Sequence, residues 1–384
     1  MCIRDSYVIM EGKMKKRVVF VSMAMAAALL TACGGTQKSE TTTAQTTVQT
    51  TAGQSTEAQT AAVSAENTSS TQTVDKQKVY VSAEWVKSVI DGKQPESSDY
   101  KIIEVAWGKE SDDKAYTKGH IPGAYHLNTD DLESDKDWNL RTPEEIGKLL
   151  ASYGITKDTT VILYGADGVD SADDRAAFAF LWAGVENVKC LDGGFKAWEK
   201  AGYNVETTSN KPVATTKDFG VKIPAHPEYV MDIETVKKKL ADDPNFKLVS
   251  IRSKDEFDGK TSGYSYIDRA GEPDGAIWGH DTDDGSYTNA DGTIVKIDTL
   301  EKYLGESGAS MKNDLSFYCG TGWRAAVPFL IAYENGYKNI SVYDGGWYQW
   351  QMDPNDKVQL GDPKSGNMKE VTVKDLTTDK AKKK

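Results

Sequence analysis

Ile121-Pro122-Gly123-Ala124 precedes Leu191-Asp192-Gly193-Gly194-Phe195, and Pro273-Asp274-Gly275-Ala276 precedes Tyr343-Asp344-Gly345-Gly346-Trp347. Gly123 and Asp192 are as far apart in sequence as Gly275 and Asp344. Two different motifs sharing one spacing mark a duplicated unit. Each copy carries the same order of signals. Ser82 caps a helix over Ala83 to Ile90, and Asp232 caps one over Ile233 to Leu240. The runs 101–105 and 246–251 read as strands. Helices are predicted at 142–153, where Pro143 takes an N1-like position, and at 299–305. Thr160 to Tyr164 and Leu315 to Tyr318 are apolar strands, and further helices start near Arg175-Ala176-Ala177 and Arg324-Ala325-Ala326. Val188 to Leu191 and Ile340 to Tyr343 then run into the Asp-Gly-Gly turns. Strands alternating with helices predict an α/β domain with a mainly parallel sheet covered on both faces.

The 384 residues divide unevenly around this repeat. Lys15-Lys16-Arg17 forms a basic n-region, and Val18 to Leu30 is an apolar run of secretory rather than membrane-spanning length. It ends in Leu30-Thr31-Ala32-Cys33, similar to a bacterial lipobox, which implies lipidation at Cys33; an ordinary signal peptide is the plainer alternative. The stretch before Met14 does not fit a signal peptide and reads as an extension. Residues 1–33 are thus extension and signal. Residues 34–78 are dominated by Thr, Gln, Ser, Ala and Glu and read as a disordered tether, because they bury too little apolar surface to offset chain entropy. The first copy spans 79–206, a Thr- and Lys-rich linker spans 207–221, the second copy spans 222–362, and 363–384 reads as a basic polar tail.

A formal net charge of −12 with four His argues against nucleic acid and against electrostatic docking on anionic lipid. The only membrane attachment expected is the lipid on Cys33, placing an exported protein on a bacterial cell envelope. Cys2, Cys33, Cys190 and Cys319 are too few for a disulfide scaffold, and no Cys/His spacing suggests zinc. Asp281, Asp283, Asp284 and Asp291 fail the alternating pattern of a calcium loop, and His280 has no ligand partner at a recognisable spacing. Neither a metal nor a cofactor is expected.

Cys319 stands out in Tyr318-Cys319-Gly320-Thr321-Gly322-Trp323-Arg324. It follows an apolar strand and precedes a helix, where open α/β sheets place ligands. The two loop glycines let the backbone curl. Such a loop turns N–H groups inward, and the helix start adds its positive end. Both favour a thiolate or a persulfide anion on this sulfur. Cys190 lies inside an apolar strand and reads as core.

These residues, with Gly119-His120-Ile121-Pro122-Gly123-Ala124 and the two Asp-Gly-Gly turns, resemble the tandem rhodaneses over Val79 to Asp362. The resemblance implies two rhodanese-like domains, an active loop Cys319 to Arg324, and a persulfide on Cys319. The backbone of Gly320, Thr321, Gly322, Trp323 and Arg324 would then cradle the sulfur. Sulfur would pass from a small-molecule donor to cyanide or a thiol. Arg252, in Ser250-Ile251-Arg252-Ser253 where the family has Asp-x-Arg, would hold an anionic donor or else pair with Asp255 or Glu256. Arg324 would face the anion, tie the loop to the Asp-Gly-Gly turn, or both. Counting back from Asp192 as from Asp344 puts Asp167 opposite Cys319, so the first copy is expected to be non-catalytic.

Thiosulfate is the preferred donor. Cys-Gly-Thr-Gly is nearer the pattern of 3-mercaptopyruvate users, which makes that compound the alternative. A cysteine phosphatase needs five residues between cysteine and arginine, and four separate Cys319 from Arg324. A non-enzymatic sulfur-binding or protein-interaction module is the third reading, opposed by the intact cysteine and loop glycines.

Overall fold

The computed structural model describes residues 79–168 and 170–378. Residues 1–78, expected to hold the signal and the tether and including Cys33, lie outside the described residues. The first domain runs β1 (Tyr80–Val81), α1 (Ala83–Ile90), β2 (Tyr100–Ala106), α2 (Lys114–Lys118), β3 (Tyr125–Asn128), α3 (Pro143–Ser152), β4 (Thr160–Tyr164), α4 (Ala172–Ala183), β5 (Asn187–Leu191) and α5 (Gly194–Lys200). Its sheet has the order β1-β5-β4-β2-β3, with every pairing parallel.

The second domain repeats this as β6 (Val230–Met231), α6 (Ile233–Asp242), β7 (Phe246–Ser250), α7 (Lys254–Phe257), β8 (Glu272–Pro273), β9 (Ile277–Trp278), α8 (Ile297–Glu306), β10 (Asp314–Tyr318), α9 (Trp323–Glu334), β11 (Ile340–Tyr343) and α10 (Gly346–Trp350). The order β6-β11-β10-β7-β9 matches the first sheet strand for strand and is again parallel. The duplication seen in the motifs is therefore a duplication of topology.

The helix starts follow their caps. Ser82 accepts the Trp85 N–H, Asp232 accepts that of Thr235, and Thr142 with Glu145 closes a capping box ahead of Pro143. One apolar cluster passes through both domains, with Phe178 of α4 set edge-on against Phe329 of α9 at 4.9 Å. The two Asp-Gly-Gly turns join the domains reciprocally. Asp344 accepts the Leu140 N–H and Asp192 accepts the Ile294 N–H, each at 2.7 Å.

One boundary is corrected. Residues 363–378 do not leave the fold as a tail. β12 (Lys357–Leu360) pairs antiparallel with β13 (Lys369–Thr372) on one side and β8 on the other. Val373 and Leu376 are buried, and Arg269 donates to both of their carbonyls. Composition suggested a tail because Lys is the commonest residue there, yet the pairing with β12 and the buried Val373 and Leu376 hold the segment to the fold.

Candidate active site

Cys319 is the first residue after β10 and is 1% exposed. The N–H of Gly322 donates to its Sγ at 3.2 Å. The carbonyls of Cys319 and Gly320 accept from the N–H groups of Trp347 and Tyr348, at 2.9 and 3.1 Å. The start of α10 thus engages the loop's carbonyls, leaving an N–H for the sulfur. The motif glycine explains how the two segments approach so closely. A Cβ on Gly346, at φ +54, would lie 2.5 Å from the Gly320 oxygen and 2.7 Å from the Cys319 oxygen. Only glycine fits that turn.

The same contact fixes the register of the first copy. Phe195 N–H donates to the Gly165 carbonyl at 2.9 Å, the counterpart of Trp347 to Cys319. Gly165, rather than Asp167, therefore occupies the position equivalent to Cys319. Counting back was two residues out because seven residues separate β4 from α4, against four between β10 and α9, while eight rather than nine residues run from the helix end to the Asp-Gly-Gly turn. A glycine there gives the first domain no side chain at the position where the second has the Cys319 thiol. Cys190 lies within β5 in the core, where burial, then Asp173 and Asp174, pushes its thiol well above the ordinary range.

The two proposed anion holders are otherwise engaged. Arg252 is 0% exposed; it donates to the Gly271 carbonyl at 2.8 Å and to Glu272, and its Nε lies 3.5 Å from Glu256. Burial pushes the Glu272 carboxyl up to about 7, with Arg252 pulling the other way. Asp255 pairs instead with Lys260. Arg252 is thus committed to carboxylates, chiefly one far along the chain.

Arg324 grips Glu256 with both arms, at 3.0 and 3.1 Å, reaches Asp281 at 2.7 Å, and donates to the Tyr264 hydroxyl at 2.6 Å. Burial would raise the Glu256 carboxyl, but Arg324 and Arg252 outweigh it and hold the group down at about 2. Arg324 therefore ties the loop to Glu256 and Asp281, not to the Asp-Gly-Gly turn, and both arms of its guanidinium are already occupied.

Asp344 is instead held from the other domain. Arg175 of α4 is 0% exposed and sends Nη1 to Asp344 and Nε to Glu133, both at 2.7 Å, with Nη2 on the Trp138 carbonyl at 3.3 Å. Glu133 accepts the Trp323 indole N–H on both oxygens at 2.9 Å. Thr321 is buried and hydrogen-bonded to the Tyr266 phenol. Tyr264 and Tyr266 stand 5.2 Å apart, and Trp138 packs on Tyr266 at 4.7 Å and on Tyr348 at 4.9 Å. This aromatic group, Glu133 and the reach of Arg175 were missed in sequence. The run Tyr264-Ser265-Tyr266 was the available signal. His280 is stacked between Trp278 and Tyr303 with Nε2 3.0 Å from Glu306.

The Rhodanese-like domain family matches residues 82–201 and 232–353. The thiosulfate sulfurtransferase YnjE of Escherichia coli is 43% identical over 286 residues, covering 73% of this chain and 64% of that protein. The chain thus spans less than two thirds of that relative. A putative thiosulfate sulfurtransferase of Haloferax volcanii is 31% identical, covering 71% of this chain and 93% of its own length. Among solved structures, YnjE superposes with a TM-score of 0.69, covering 74% of this chain and 68% of that one. The anaerobic ergothioneine biosynthesis enzyme from Chlorobium limicola, solved with its natural substrate trimethyl histidine, gives 0.69 at 36% identity, covering 75% and 71%.

Proposed function

The chain belongs to the rhodanese-like family, and from that premise we propose that it is a thiosulfate sulfurtransferase working through a persulfide on Cys319. The Cys319 thiolate attacks the outer sulfur of thiosulfate, the sulfur–sulfur bond of the donor breaks, and sulfite leaves with the bonding pair. A thiolate or cyanide then attacks the terminal sulfur and releases the Cys319 thiolate. The observation that carries this reading is the Gly322 N–H aimed at Sγ, because a fixed donor there stabilises negative charge on sulfur before and after transfer. Mass spectrometry after thiosulfate exposure tests it. One added sulfur on Cys319, absent in Cys319→Ser, is expected; the gain appearing on Cys190 instead would overturn the assignment.

A second reading concerns the acceptor. The faces of Trp138, Tyr264, Tyr266 and Tyr348 beside the loop suit a planar heterocycle or a quaternary ammonium group. Trimethyl histidine, the substrate held by the Chlorobium limicola enzyme, offers both. Incubating the persulfidated protein with it should yield the same molecule carrying one sulfur. Transfer to cyanide alone removes this acceptor.

The anchoring reading is kept as a proposal: export, followed by lipidation of Cys33. The basic n-region, the short apolar run and Leu30-Thr31-Ala32-Cys33 support it. Cys33→Ala should release the protein from the membrane fraction, and a wild type already free of membranes refutes it.

A further inference from the structure

Trp323 and Asp344 bracket the sulfur loop, and both are held by side chains of the other domain. Trp323 opens α9 directly after the loop, with its indole on Glu133. Asp344 opens the turn that leads into α10, whose N–H groups take the loop carbonyls, and it is held by Arg175. Arg175 also holds Glu133, so one guanidinium joins both brackets. Gly322 lies between them. On one side its N–H faces Sγ; on the other, a Cβ would sit 2.8 Å from Arg175 Nη1 and 3.0 Å from Asp344 Oδ1.

The arrangement is not mirrored in the second domain, where Arg324 in the first turn of α9 reaches Glu256 and Asp281 of its own domain. We infer that Glu133 and Arg175, both in the domain without a nucleophile, are positioning residues for sulfur transfer at Cys319. They act by holding Trp323 and Asp344, and so the loop N–H that faces the sulfur. This rests on the sulfurtransferase reading above.

A pH readout follows. Burial pushes the Glu133 carboxyl up to about 7, opposed by Arg175 and the Trp323 indole and reinforced by Asp344; Tyr266 also lies near it. Glu133 is an anion above neutrality and a neutral acid below it. Protonation removes one of the two charges that hold Arg175 and weakens the acceptor for Trp323. The clamp is tight above about pH 7 and loosens as pH falls.

The test uses the intact chain, thiosulfate and cyanide, with Glu133→Gln and, separately, Trp323→Phe, which keeps a ring but removes the donor. Rates across the neutral range are measured beside persulfide formation on Cys319. A kcat lower by about 10-fold or more is expected in both variants, at little cost in KM, as a small misplacement of reacting groups can cost about 100-fold. The wild-type step near neutrality should vanish in Glu133→Gln. If that variant does not fold, Trp323→Phe carries the same expectation. A folded variant with wild-type kcat and an unchanged pH profile overturns the inference alone. A wild type that forms no persulfide overturns the sulfurtransferase reading, and this inference with it.

Discussion

Replacing Gly322 by alanine tests how tightly the first domain closes on the sulfur loop. The residue adopts φ +94, and its missing side chain leaves the space that Arg175 Nη1 and Asp344 Oδ1 fill at 2.8 and 3.0 Å from an ideal Cβ. The left-handed backbone alone costs alanine roughly 1–2 kcal/mol. Ordinary contact begins at 3.4 Å, so the ion pair must also draw back by several tenths of an ångström. Forcing a methyl group into a packed site costs about 1–3 kcal/mol, here by displacing a buried ion pair. Backbone and crowding together come to about 2–5 kcal/mol.

Gly123→Ala is the control, because Gly123 has φ +83 and nothing within 4 Å of its ideal Cβ. It should lose only the backbone share, roughly 1–2 kcal/mol. Denaturant midpoints of the two variants give the difference, and the rate of persulfide formation shows whether it reaches the sulfur. Equal midpoints with an unimpaired rate in Gly322→Ala would refute the close approach as a constraint.

Cys319→Ser should abolish turnover, whereas Cys190→Ser should keep it, as judged by sulfite release from thiosulfate; the reverse result moves the nucleophile to β5. Arg252→Gln leaves Glu272 buried without its cation and should cost about 3–5 kcal/mol of stability, with the donor KM unchanged; a raised KM in a protein of normal stability would restore Arg252 to the donor. Glu256, held at about 2 by Arg324 and Arg252 against an ordinary 4.5, stabilises the fold fully above 4.5 and loses that contribution as pH falls toward 2. The acid limb of the melting-temperature profile should therefore flatten in Glu256→Gln, measured by calorimetry. Glu104 has the opposite sign: burial, then Asp113, raises it to about 8, so stability is lost as pH rises from 4.5 through 8. Glu104→Gln should gain on the wild type over that window, and parallel curves would show that Glu104 does not titrate there.

The α/β repeat was readable because its signals are local. Thr142-Pro143-Glu144-Glu145 caps a helix wherever it stands, and Thr160 to Tyr164 is a strand that needs no partner to be recognised. Cys319 was readable for the same reason, since strand end, glycine and helix start are contiguous. Arg175 was not. Its partners Glu133 and Asp344 are brought together only when the domains dock, and no local pattern records that. Arg252 shows the converse case: of its two readings the pairing with Glu256 is present, and the ligand contact is not the one its buried position favours. Family position suggested a ligand contact, while Glu272, which neutralises it, sits in a two-residue strand with no periodic signal. The misplaced Asp167 arose from loop length, which neither motif spacing nor hydropathy reports.

The charges explain why geometry rather than Coulomb attraction governs this loop. Arg175 meets Glu133 and Asp344, Arg252 meets Glu272 and Glu256, and Arg324 meets Glu256 and Asp281. Three cations thus face five carboxylates, and each is neutralised before an anionic donor arrives. Stabilisation of sulfur falls to groups that cannot be neutralised, namely the backbone N–H of Gly322 and the first turn of α9. Such donors work only at fixed distance and direction. The ion pairs therefore serve the chemistry by holding backbone in place, which is why a domain with glycine at the nucleophile's position still bears on the sulfur.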